Sequence, residues 1–497
     1  MFDFSEDDKS KIVADMCRMI QCKTVSNLDE SKIDWHEFEK FTNLLREAFP
    51  TIYSTCEFFK IGKTGLVHKI SGKAVQKPVA TTESVSLNTI AAQNAASVAQ
   101  ANSVAISDSV ASPEAGQKHA IVLMAHYDVV PVVESDWAFP PFAGDVVDGS
   151  IRGRGTMDTK GTLCACMEAV ELSLKKGWRP EQDLYLCFSG EEEINGQTCA
   201  DIVSWFEQNN ITVDFVLDEG GAIVENAFPG VSKPCAMVGT EEKGSTYLDL
   251  VVSGKTGHAS APPKHSSVGL ASQIVAEIEK KEPAIEFTPT VTQLLRTMGK
   301  NNDKAIFRFI FSNLWLTKPL VGLISRILRG ELYALLHTTC AITKFTGSEG
   351  YNVLPLKASV GMNFRLLGKD TVEKAVARIE KTAGKVARRL AGKNARVQVN
   401  VVSYGNPSRV SSTDCSQWET LSHVIRETWP EVLVSPYLMM ACSDSRQYCR
   451  ITDKVYRFSA MYMSKEDRAM IHGINEAIKV DVLLKTVEFY TNLITRW

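Results

Sequence analysis

The sequence has almost no excess charge and no apolar run long enough to cross a membrane, and both absences exclude classes of protein. Its 55 basic and 58 acidic residues leave a formal net charge of −3, which indicates neither nucleic acid nor an anionic membrane as a partner. The N-terminal MFDFSEDDKSK is acidic and lacks the apolar segment of a secretory signal. We therefore expect a cytoplasmic protein without a transmembrane segment.

The chain also lacks the regular cysteine spacing of a disulfide framework. Its 12 cysteines are scattered, and Cys164 and Cys166 form C-x-C rather than a C-x-x-C pair. Most of the others lie in apolar runs, which predicts reduced thiols inside a cytoplasmic core. A chain of 497 residues is too long for one compact core, so we expect at least two domains.

Two segments differ from the rest of the chain in composition. Residues 74–118 are rich in Ala, Ser, Val, Thr and Gln and predict a solvated low-complexity insertion. The most apolar stretch, 305–337, is interrupted by charged residues and a proline, which excludes a membrane-spanning helix. Its segment FIFSNLWLTKPLVGLISRIL is interpreted as a helix packed on its own domain or on a second subunit. An amphipathic helix lying against lipid is the alternative.

Acidic residues and histidines recur after short apolar runs. The runs at 120–125, 184–189 and 215–217 predict buried parallel strands, and open α/β sheets bind ligands beyond the carboxyl ends of such strands. The polar groups that follow these runs, or lie in loops between and after them, are His126, Asp128, Asp158, Glu191, Glu192, Glu193, Asp218, Glu219 and His472. Because imidazoles with several carboxylates are the ligands that paired zinc-like cations prefer, the pattern predicts a metal site.

The order of predicted elements gives the fold class. Strands alternating with helices from 120 to 240 predict an α/β domain with a mixed, mostly parallel sheet flanked by helices. Further strands and helices are predicted at 244–253, 266–281, 354–366, 371–391 and 395–402. These three strands and two helices are interpreted as parts of a β-α-β-β-α-β unit, which predicts an inserted ferredoxin-like α+β domain over 241–404, with 290–335 as a helical excursion. Residues 1–240 and 405–497 then build the larger domain.

Six motifs occur in a fixed order along the chain: HYDVVPV, WxxPPFxG, GRGTMDTKG, GEEEI, LDEGG and HGINE. In this order and spacing the chain resembles the co-catalytic zinc peptidases of the family that includes aminoacylase, carboxypeptidase S and the ArgE and DapE deacylases. The resemblance is strongest to the carboxypeptidase S branch, which includes the N-fatty-acyl-amino-acid hydrolases, and covers nearly all of the chain from 120 on. It implies a metallohydrolase that cleaves the amide bond of small peptides or N-acyl amino acids, with the larger domain as its catalytic domain.

The resemblance also implies the ligands of two divalent ions. By position they are His126, Asp158, Glu193, His472 and one of the pair Asp218 and Glu219, with Asp218 preferred. Asp158 matches the carboxylate that bridges both metals, and a cis peptide bond is implied after it. Asp128 matches the carboxylate that orients the imidazole of His126. Zinc is the expected metal, with cobalt and manganese as alternatives at such nitrogen and oxygen sites.

The resemblance implies a general base within the run of three glutamates at 191–193, where the match leaves an ambiguity of one residue. Glu192 is assigned because the family pattern, acidic residues followed by an apolar residue and a nearby glycine, fits the E-I-N-G at 193–196. A shift by one position would make Glu191 the base. The implied reaction is attack on an amide carbon by water that the metals acidify and the base deprotonates.

Residues outside the metal cluster complete the implied site. His258 in GHASAPP matches the lid histidine that, in the family, reaches a catalytic cleft, often that of the partner subunit. Asn352, Arg446 and Arg365 are candidates for binding the substrate, although Arg365 is equally well explained as a structural strand residue. The resemblance also implies a homodimer formed through the inserted lid and dimerisation domain.

Alternatives remain open on substrate and on activity. A dipeptidase or carboxypeptidase competes with an aminoacylase acting on N-acyl amino acids, including fatty-acyl ones. A catalytically inactive binding protein predicts damaged ligands, whereas every expected position carries a competent residue. The absence of HExxH disfavours an unrelated single-metal hydrolase.

Overall fold

A computed structural model describes residues 4–73, 119–392 and 396–497 of the chain, and the predicted insertion at 74–118 lies outside the described residues. The α-helices of the described residues are α1 (Glu6–Ile20), α2 (Trp35–Ala48), α3 (Pro50–Thr55), α4 (Lys160–Lys175), α5 (Thr198–Gln208), α6 (Ser267–Glu279), α7 (Pro289–Lys300), α8 (Ala305–Ser312), α9 (Leu314–Leu328), α10 (Gly330–Leu336), α11 (Val372–Ala391), α12 (Ser416–Thr428), α13 (Lys465–Met470) and α14 (Val480–Ile494). The strands are β1 (Glu57–Ile61), β2 (Gly65–Ile70), β3 (His119–His126), β4 (Asp145–Val147), β5 (Ser150–Arg152), β6 (Leu184–Ser189), β7 (Thr212–Val224), β8 (Cys235–Glu242), β9 (Gly244–Ser253), β10 (Gly257–His258), β11 (Thr339–Thr346), β12 (Val353–Leu354), β13 (Lys357–Leu366), β14 (Arg396–Ser403), β15 (Leu433–Met439), β16 (Val455–Met463) and β17 (Ala477–Lys479).

The central sheet has eight strands in the order β1-β2-β6-β3-β7-β16-β8-β15. The neighbours β6, β3, β7 and β16 run parallel to one another, whereas β1 and β2 are antiparallel additions at one edge. At the other edge β8 is antiparallel to β7 and β16 but parallel to β15. The predicted mixed, mainly parallel sheet is therefore confirmed. Its parallel centre places several carboxyl ends at one edge.

Alternate residues of the central strands pack into two cores, one on each face of the sheet. Ile121 and Leu123 of β3 contact the core built with α1, α2, α4 and α14. Val122 and Met124 belong to a second core with α5. Successive side chains of a strand point to opposite faces, so a strand covered by helices on both sides is apolar at nearly every position. This explains the continuous apolar runs in the sequence.

Strand β7 is longer than the apolar run at 215–217 predicts. It spans Thr212–Val224, so Asp218 and Glu219 lie inside a strand rather than beyond its end, which corrects the prediction. Pairing of β7 with β3 stops at Leu217, and pairing with β16 skips two residues after Asp218. Such a bulge interrupts the ladder and redirects side chains, which is how acidic residues occupy the middle of a buried strand.

Residues 244–403 contain a separate four-stranded sheet in the order β11-β13-β9-β14, antiparallel throughout. Helices α6 and α11 pack against it and form their own hydrophobic cluster. The chain order β9-α6-β11-β13-α11-β14 is the predicted β-α-β-β-α-β pattern, with α7 to α10 between α6 and β11. Strand β11 is absent from the prediction because it is a mostly exposed edge strand without an alternating apolar pattern.

The helical excursion predicted at 290–335 forms the four helices α7 to α10. They share a hydrophobic cluster with Cys235 of β8 and Leu438 of β15, so the segment packs on the edge of the central sheet of its own chain. No helix among the described residues has both the length and the apolar character needed to cross a membrane. All 12 cysteines are free, as the scattered spacing predicts.

Candidate dinuclear metal centre

Two imidazoles and three carboxylates converge at the carboxyl edge of the central sheet. Asp158 Oδ1 lies 3.0 Å from Nε2 of His126, and Asp158 Oδ2 lies 3.0 Å from Nε2 of His472. Glu219 Oε1 is 3.2 Å from the same His126 nitrogen, and Glu193 Oε2 is 3.0 Å from the His472 nitrogen. The cluster therefore consists of two triads that share the carboxylate of Asp158.

The fold brings these side chains together from distant stretches of sequence. His126 is the last residue of β3, and a 3₁₀ helix (Glu192–Ile194) follows directly after β6. Asp158 lies just before α4, and its peptide bond to Thr159 is cis, as the resemblance implied. Because β3, β6 and β7 are parallel neighbours, the polar groups that they carry meet at one edge of the sheet.

Two groups of three side chains at this edge of the sheet have the spacing of a metal site, and the second includes Glu192, which lies outside the two triads. Ligand atoms of His126, Asp158 and Glu193 all lie within 4.8 Å of one another, and the same holds for His126, Glu192 and Glu219. Imidazole nitrogens and carboxylate oxygens at such distances suit zinc and similar cations.

Asp128 contacts both His126 and the turn that carries the glutamates. Its backbone carbonyl lies 3.0 Å, and its Oδ1 3.4 Å, from Nδ1 of His126. Its two carboxylate oxygens accept hydrogen bonds from the backbone N–H groups of Glu192 and Glu193, each at 3.1 Å. One buried residue thus orients the imidazole and holds the two glutamates in place.

Glu191 and Glu192 point in different directions. This difference bears on which of the two glutamates is the general base. Oε2 of Glu192 lies 4.0 Å from Nε2 of His126, at the metal-ligand cluster. The carboxylate of Glu191 accepts hydrogen bonds from the N–H and hydroxyl of Thr198, at 3.3 and 2.6 Å, where α5 begins. The geometry places Glu192 at the cluster and Glu191 outside it.

Asp218 and Glu219 are adjacent in β7 where the bulge begins, and their side chains contact different groups. Glu219 reaches His126. Asp218 is buried, and its Oδ2 accepts a hydrogen bond from the backbone N–H of Ser445 at 3.1 Å. The geometry favours Glu219 as the metal ligand, contrary to the preference for Asp218.

Arg365 and Arg446 both lie near the thiol of Cys442. Nη1 of Arg365 lies 3.9 Å from Cys442 Sγ. Burial raises the pKa of this thiol, while the positive charges of Arg446 and Arg365 lower it. Both guanidinium groups are therefore close enough to interact with the thiol. Arg446 directly follows Ser445, the residue that binds Asp218. Two of the predicted substrate-binding residues therefore lie near one thiol, and the guanidinium of Arg446 also donates a hydrogen bond to the carbonyl oxygen of Asn406.

His258 and Asn352 lie side by side on the two-stranded ribbon of β10 and β12. His258 pairs with Val353, and the carbonyl oxygen of Asn352 accepts the N–H of Ala259 at 3.0 Å. Both side chains are exposed, and within the described chain the imidazole of His258 bonds to Ser260 rather than to a member of the metal-ligand cluster. The structure brings these two residues to each other but not to the cluster of their own chain.

Comparison with known proteins identifies the family. Residues 122–496 match the model of peptidase family M20/M25/M40. The chain belongs to this family. The family predicted from the order of motifs is confirmed, and the M20 chain is a hydrolytic enzyme.

Individual relatives agree with this assignment. The M20 chain is 35% identical over 381 residues to the probable carboxypeptidase S-like 2 of Dictyostelium discoideum, covering 75% of this chain and 71% of the relative. It is 34% identical over 377 residues to the N-fatty-acyl-amino acid synthase/hydrolase PM20D1 of Xenopus tropicalis, with the same coverage of 75% and 71%. Among solved structures, its fold is similar to the M20 family metallo-carboxypeptidase Sso-CP2 of Sulfolobus solfataricus, with a TM-score of 0.64, 16% identity and 99% of both chains covered.

The electrostatics of the M20 site fit divalent cations. Burial raises the pKa of Glu219 to about 8, and it also raises the pKa of Glu192 well above its ordinary value. Hydrogen bonds to Asp158 and Glu193 raise the pKa of His472 to about 10. Carboxylates buried this close together cannot all ionise without a large free-energy cost unless positive charge accompanies them. The donor set and its excess of negative charge therefore fit two divalent ions.

Glu476 is a structural contributor to the M20 site that the sequence reasoning missed. Its buried carboxylate accepts hydrogen bonds from three backbone N–H groups of the loop 155–158, at 2.9, 2.8 and 3.2 Å. It also pairs with the buried guanidinium of Arg154 at 2.7 Å. Glu476 thereby ties the loop that carries Asp158 to the loop that carries His472. The available signal was the acidic residue that ends the HGINE motif.

Asp444, which is half-buried, is a second missed residue. It accepts a hydrogen bond from the hydroxyl of Ser189, the last residue of β6. Burial raises the pKa of Asp444 to about 7, and the nearby charges of Asp218 and Asp128 add to the shift. Its position two residues before the predicted Arg446 was the only sequence signal.

Metal-free M20 protein is expected to lose thermal stability as the pH rises. The pKa of Glu219 is raised from 4.5 to about 8 mainly by burial, and that of His472 from 6.5 to about 10 by hydrogen bonds to Asp158 and Glu193. A raised folded-state pKa gives stability that is complete below the unfolded value and is lost as the pH rises through the folded value. The melting temperature of chelator-treated protein should therefore fall from pH 4.5 through 8 and on towards 10, as measured by scanning fluorimetry.

Added zinc should raise that melting temperature most at the alkaline end, because ligand protons no longer compete with the ions. A metal-free melting temperature that rises across this window would contradict the charge assignment of the cluster. So would a zinc effect that is largest in acid.

Proposed function

We propose that the chain is a dinuclear metal-dependent hydrolase that cleaves the amide bond next to an amino acid with a free carboxylate. The convergence of two imidazoles on one shared carboxylate, at 3.0 Å each, carries the proposal. His126, Asp158 and Glu219 would hold one ion, and His472, Asp158 and Glu193 would hold the other. The mixed nitrogen and oxygen donors support zinc, with cobalt and manganese as alternatives.

Glu192 is proposed as the general base. Two divalent ions at this position supply Lewis acidity, which lowers the pKa of water and polarises a carbonyl oxygen. The carboxylate of Glu192, 4.0 Å from Nε2 of His126, takes a proton from the attacking water and passes it to the departing amine. The hydrogen bond from the Glu192 N–H to Asp128 keeps the base oriented towards the cluster.

The guanidinium groups of Arg365 and Arg446 support recognition of the free carboxylate of the substrate. Arginine binds carboxylates through two parallel hydrogen bonds, which fixes the orientation of the bound group. Both residues are partly buried beside Cys442, so a carboxylate bound there would be partly shielded from solvent. Dipeptides, the C-terminal residues of short peptides and N-acyl amino acids all offer this group. Carboxypeptidase- or dipeptidase-type cleavage is the leading proposal.

An aminoacylase-type deacylase of N-acyl amino acids, including fatty-acyl ones, is the second candidate. The 34% identity to the N-fatty-acyl-amino acid synthase/hydrolase of Xenopus tropicalis favours it, whereas the 35% identity to the carboxypeptidase S-like protein favours peptide cleavage. The amide bond and the carboxylate are common to both substrate classes. Only the group on the acyl side of the amide separates them.

The test is an activity screen with the full chain reconstituted with zinc, cobalt or manganese. Dipeptides, N-acetyl amino acids and N-fatty-acyl amino acids are assayed, each beside its C-terminal amide. We expect hydrolysis of the free acids, strong loss with the amides, and no turnover by Glu192→Ala. Turnover by Glu192→Ala equal to that of the parent chain, or absence of hydrolysis with every metal, would overturn the proposal.

We further propose that residues 241–404 form a lid and dimerisation domain, and that 1–240 and 405–497 form the catalytic domain. The separate hydrophobic cluster of the four-stranded sheet supports this division. His258 and Asn352 would serve the cluster of a partner subunit in a homodimer, where the imidazole donates a hydrogen bond to the oxyanion of the tetrahedral intermediate. The 12 free cysteines support a cytoplasmic location.

Replacing Glu219 by glutamine is expected to remove one of the two bound ions, whereas Asp218→Asn should leave both. Glu219 faces His126 at 3.2 Å, while Asp218 faces the backbone of Ser445. The two variants are matched, since each exchanges a carboxylate of β7 for its amide at adjacent positions. Metal content after dialysis, measured by plasma mass spectrometry, distinguishes them. Loss of an ion in Asp218→Asn with two retained in Glu219→Gln would show that the ligand assignment is reversed.

A further inference from the structure

Helix α9 carries a row of exposed aliphatic side chains on the face turned away from the molecule. Positions 316, 320, 323 and 327 recur at helical spacing, so they form one stripe along the helix. Helix α8 and the start of α9 add further exposed apolar residues. The eight exposed large apolar side chains, which we call the apolar patch, are Ile306, Phe309, Trp315, Leu316, Leu320, Leu323, Ile327 and Leu328.

The outward face of α9 is more apolar than its buried face. The buried positions of α9 are Leu314, Thr317, Val321, Gly322 and Ser325. A helix that only packed against its own protein would show the reverse distribution, with the aliphatic stripe inside. In the apolar patch Trp315 is 78% exposed and Ile327 is 70% exposed. Contiguous exposed apolar surface of this kind marks an interaction site.

Basic residues predominate around the apolar patch, although Asp303 and Glu331 border the segment and Glu282 contacts Arg329. Residues 304–330 contain five basic residues and no acidic residue, although the whole chain has a net charge of −3. Within the described residues, Arg329 pairs with Glu282, and no carboxylate partner is found for the other four. Those four are Lys304, Arg308, Lys318 and Arg326. The local charge therefore differs in sign from that of the whole protein and favours an anionic partner.

We propose that the apolar patch docks the enzyme on an anionic phospholipid surface, with α8 and α9 lying in the plane of the interface. Aliphatic side chains would enter the boundary of the acyl chains, and Trp315 would lie at the level of the headgroups. Lysine and arginine side chains extend from such a helix to contact the phosphates. A second copy of this chain is a poorer occupant, because two-fold pairing of the patch would bring its basic residues face to face. The peptide and amide chemistry proposed above is independent of this docking.

The experiment is sedimentation of the full, metal-loaded chain with vesicles. Vesicles of phosphatidylcholine alone are compared with vesicles that also contain phosphatidylglycerol. We expect binding to the anionic vesicles, weaker binding to the neutral ones, and a loss of partitioning of about tenfold or more in Leu323→Asn/Ile327→Asn. Leu28→Asn/Leu356→Asn is the matched control, since both leucines are exposed outside the apolar patch, and it should bind like the parent chain. Lys318→Gln/Arg326→Gln should lower binding to the anionic vesicles alone.

Sedimentation velocity without lipid separates the remaining outcomes. The proposal would be overturned if the parent chain bound neither vesicle type and formed a dimer that Leu323→Asn/Ile327→Asn dissociates. The apolar patch would then be an interface between copies of the chain. The proposal would also be overturned if the parent chain bound no vesicles and the double variant had the same sedimentation coefficient as the parent chain. Equal loss in the double variant and in its leucine control would show general damage rather than a docking surface.

Discussion

A Glu192→Gln variant is expected to hydrolyse amide substrates about a thousandfold more slowly than the parent enzyme. Glutamine keeps the shape of the side chain but cannot accept the proton of the attacking water. Glu192 belongs to neither triad around Asp158, so the variant should still bind two metal ions. Steady-state kinetics should show the loss in kcat with a KM close to that of the parent, and metal analysis should show unchanged content.

The matched control for this variant is Glu191→Gln. Its carboxylate accepts hydrogen bonds from Thr198 at the start of α5, so the exchange should change kcat by no more than a few fold. Both variants replace a glutamate of the same short run by the same amide. An inactive Glu191→Gln beside an active Glu192→Gln would show that the base had been assigned one residue too late.

An Asp158→Asn variant is expected to lose both metal ions and, with them, hydrolysis. Each carboxylate oxygen of Asp158 lies 3.0 Å from a different imidazole, whereas asparagine offers a single oxygen. The activity should fall on the order of a thousandfold, because each ion contributes several kcal/mol and about 1.4 kcal/mol is a factor of ten. Metal content after dialysis and kcat/KM measured with added zinc check this result.

Asp453→Asn is a suitable control for Asp158→Asn, because Asp453 is exposed and its carboxylate lies 3.9 Å from the Lys454 ammonium, away from the metal-ligand cluster. It should keep two ions and the activity of the parent chain. If Asp158→Asn retained two ions after the same dialysis, Asp158 would not be the shared ligand. The two triads would then have to be independent sites.

Most residues of the metal-ligand cluster could be predicted from the sequence, because buried parallel strands have a recognisable apolar pattern. A strand covered on both faces is apolar throughout, so the polar residue that ends it stands out, as His126 does after the run at 120–125. The order of six motifs then identified the family, which the comparisons confirm. The metal and substrate roles of the individual residues remain proposals that the variants above test.

The choice between Asp218 and Glu219 could not be made from the sequence. Both are acidic and adjacent, and the short run before them predicted that the strand ended at Leu217. The strand instead continues through a bulge, where one side chain contacts His126 and the other contacts the backbone of Ser445. The direction of a side chain at a bulge depends on the neighbouring strand, which local sequence does not contain.

Glu476 shows the same limit for contacts between distant segments. It accepts hydrogen bonds from backbone N–H groups more than 300 residues earlier in the chain, and backbone donors leave no signature in a sequence. Asp444 is similar, since its neighbours Ser189, Asp218 and Asp128 come from distant parts of the chain. Residues that support a site through backbone contacts are visible only when the chain is folded.

The sequence by itself determined the α/β class, the family and the set of polar residues that meet at the site. Those features depend on hydrophobic periodicity and on local motifs, which are properties of short segments. The tertiary structure alone decided which carboxylate of each adjacent pair faces the imidazoles. It also decided that helix α9 turns its aliphatic stripe outward. Both are questions of direction, and a side chain's direction is set by the surfaces packed around it rather than by its neighbours in sequence.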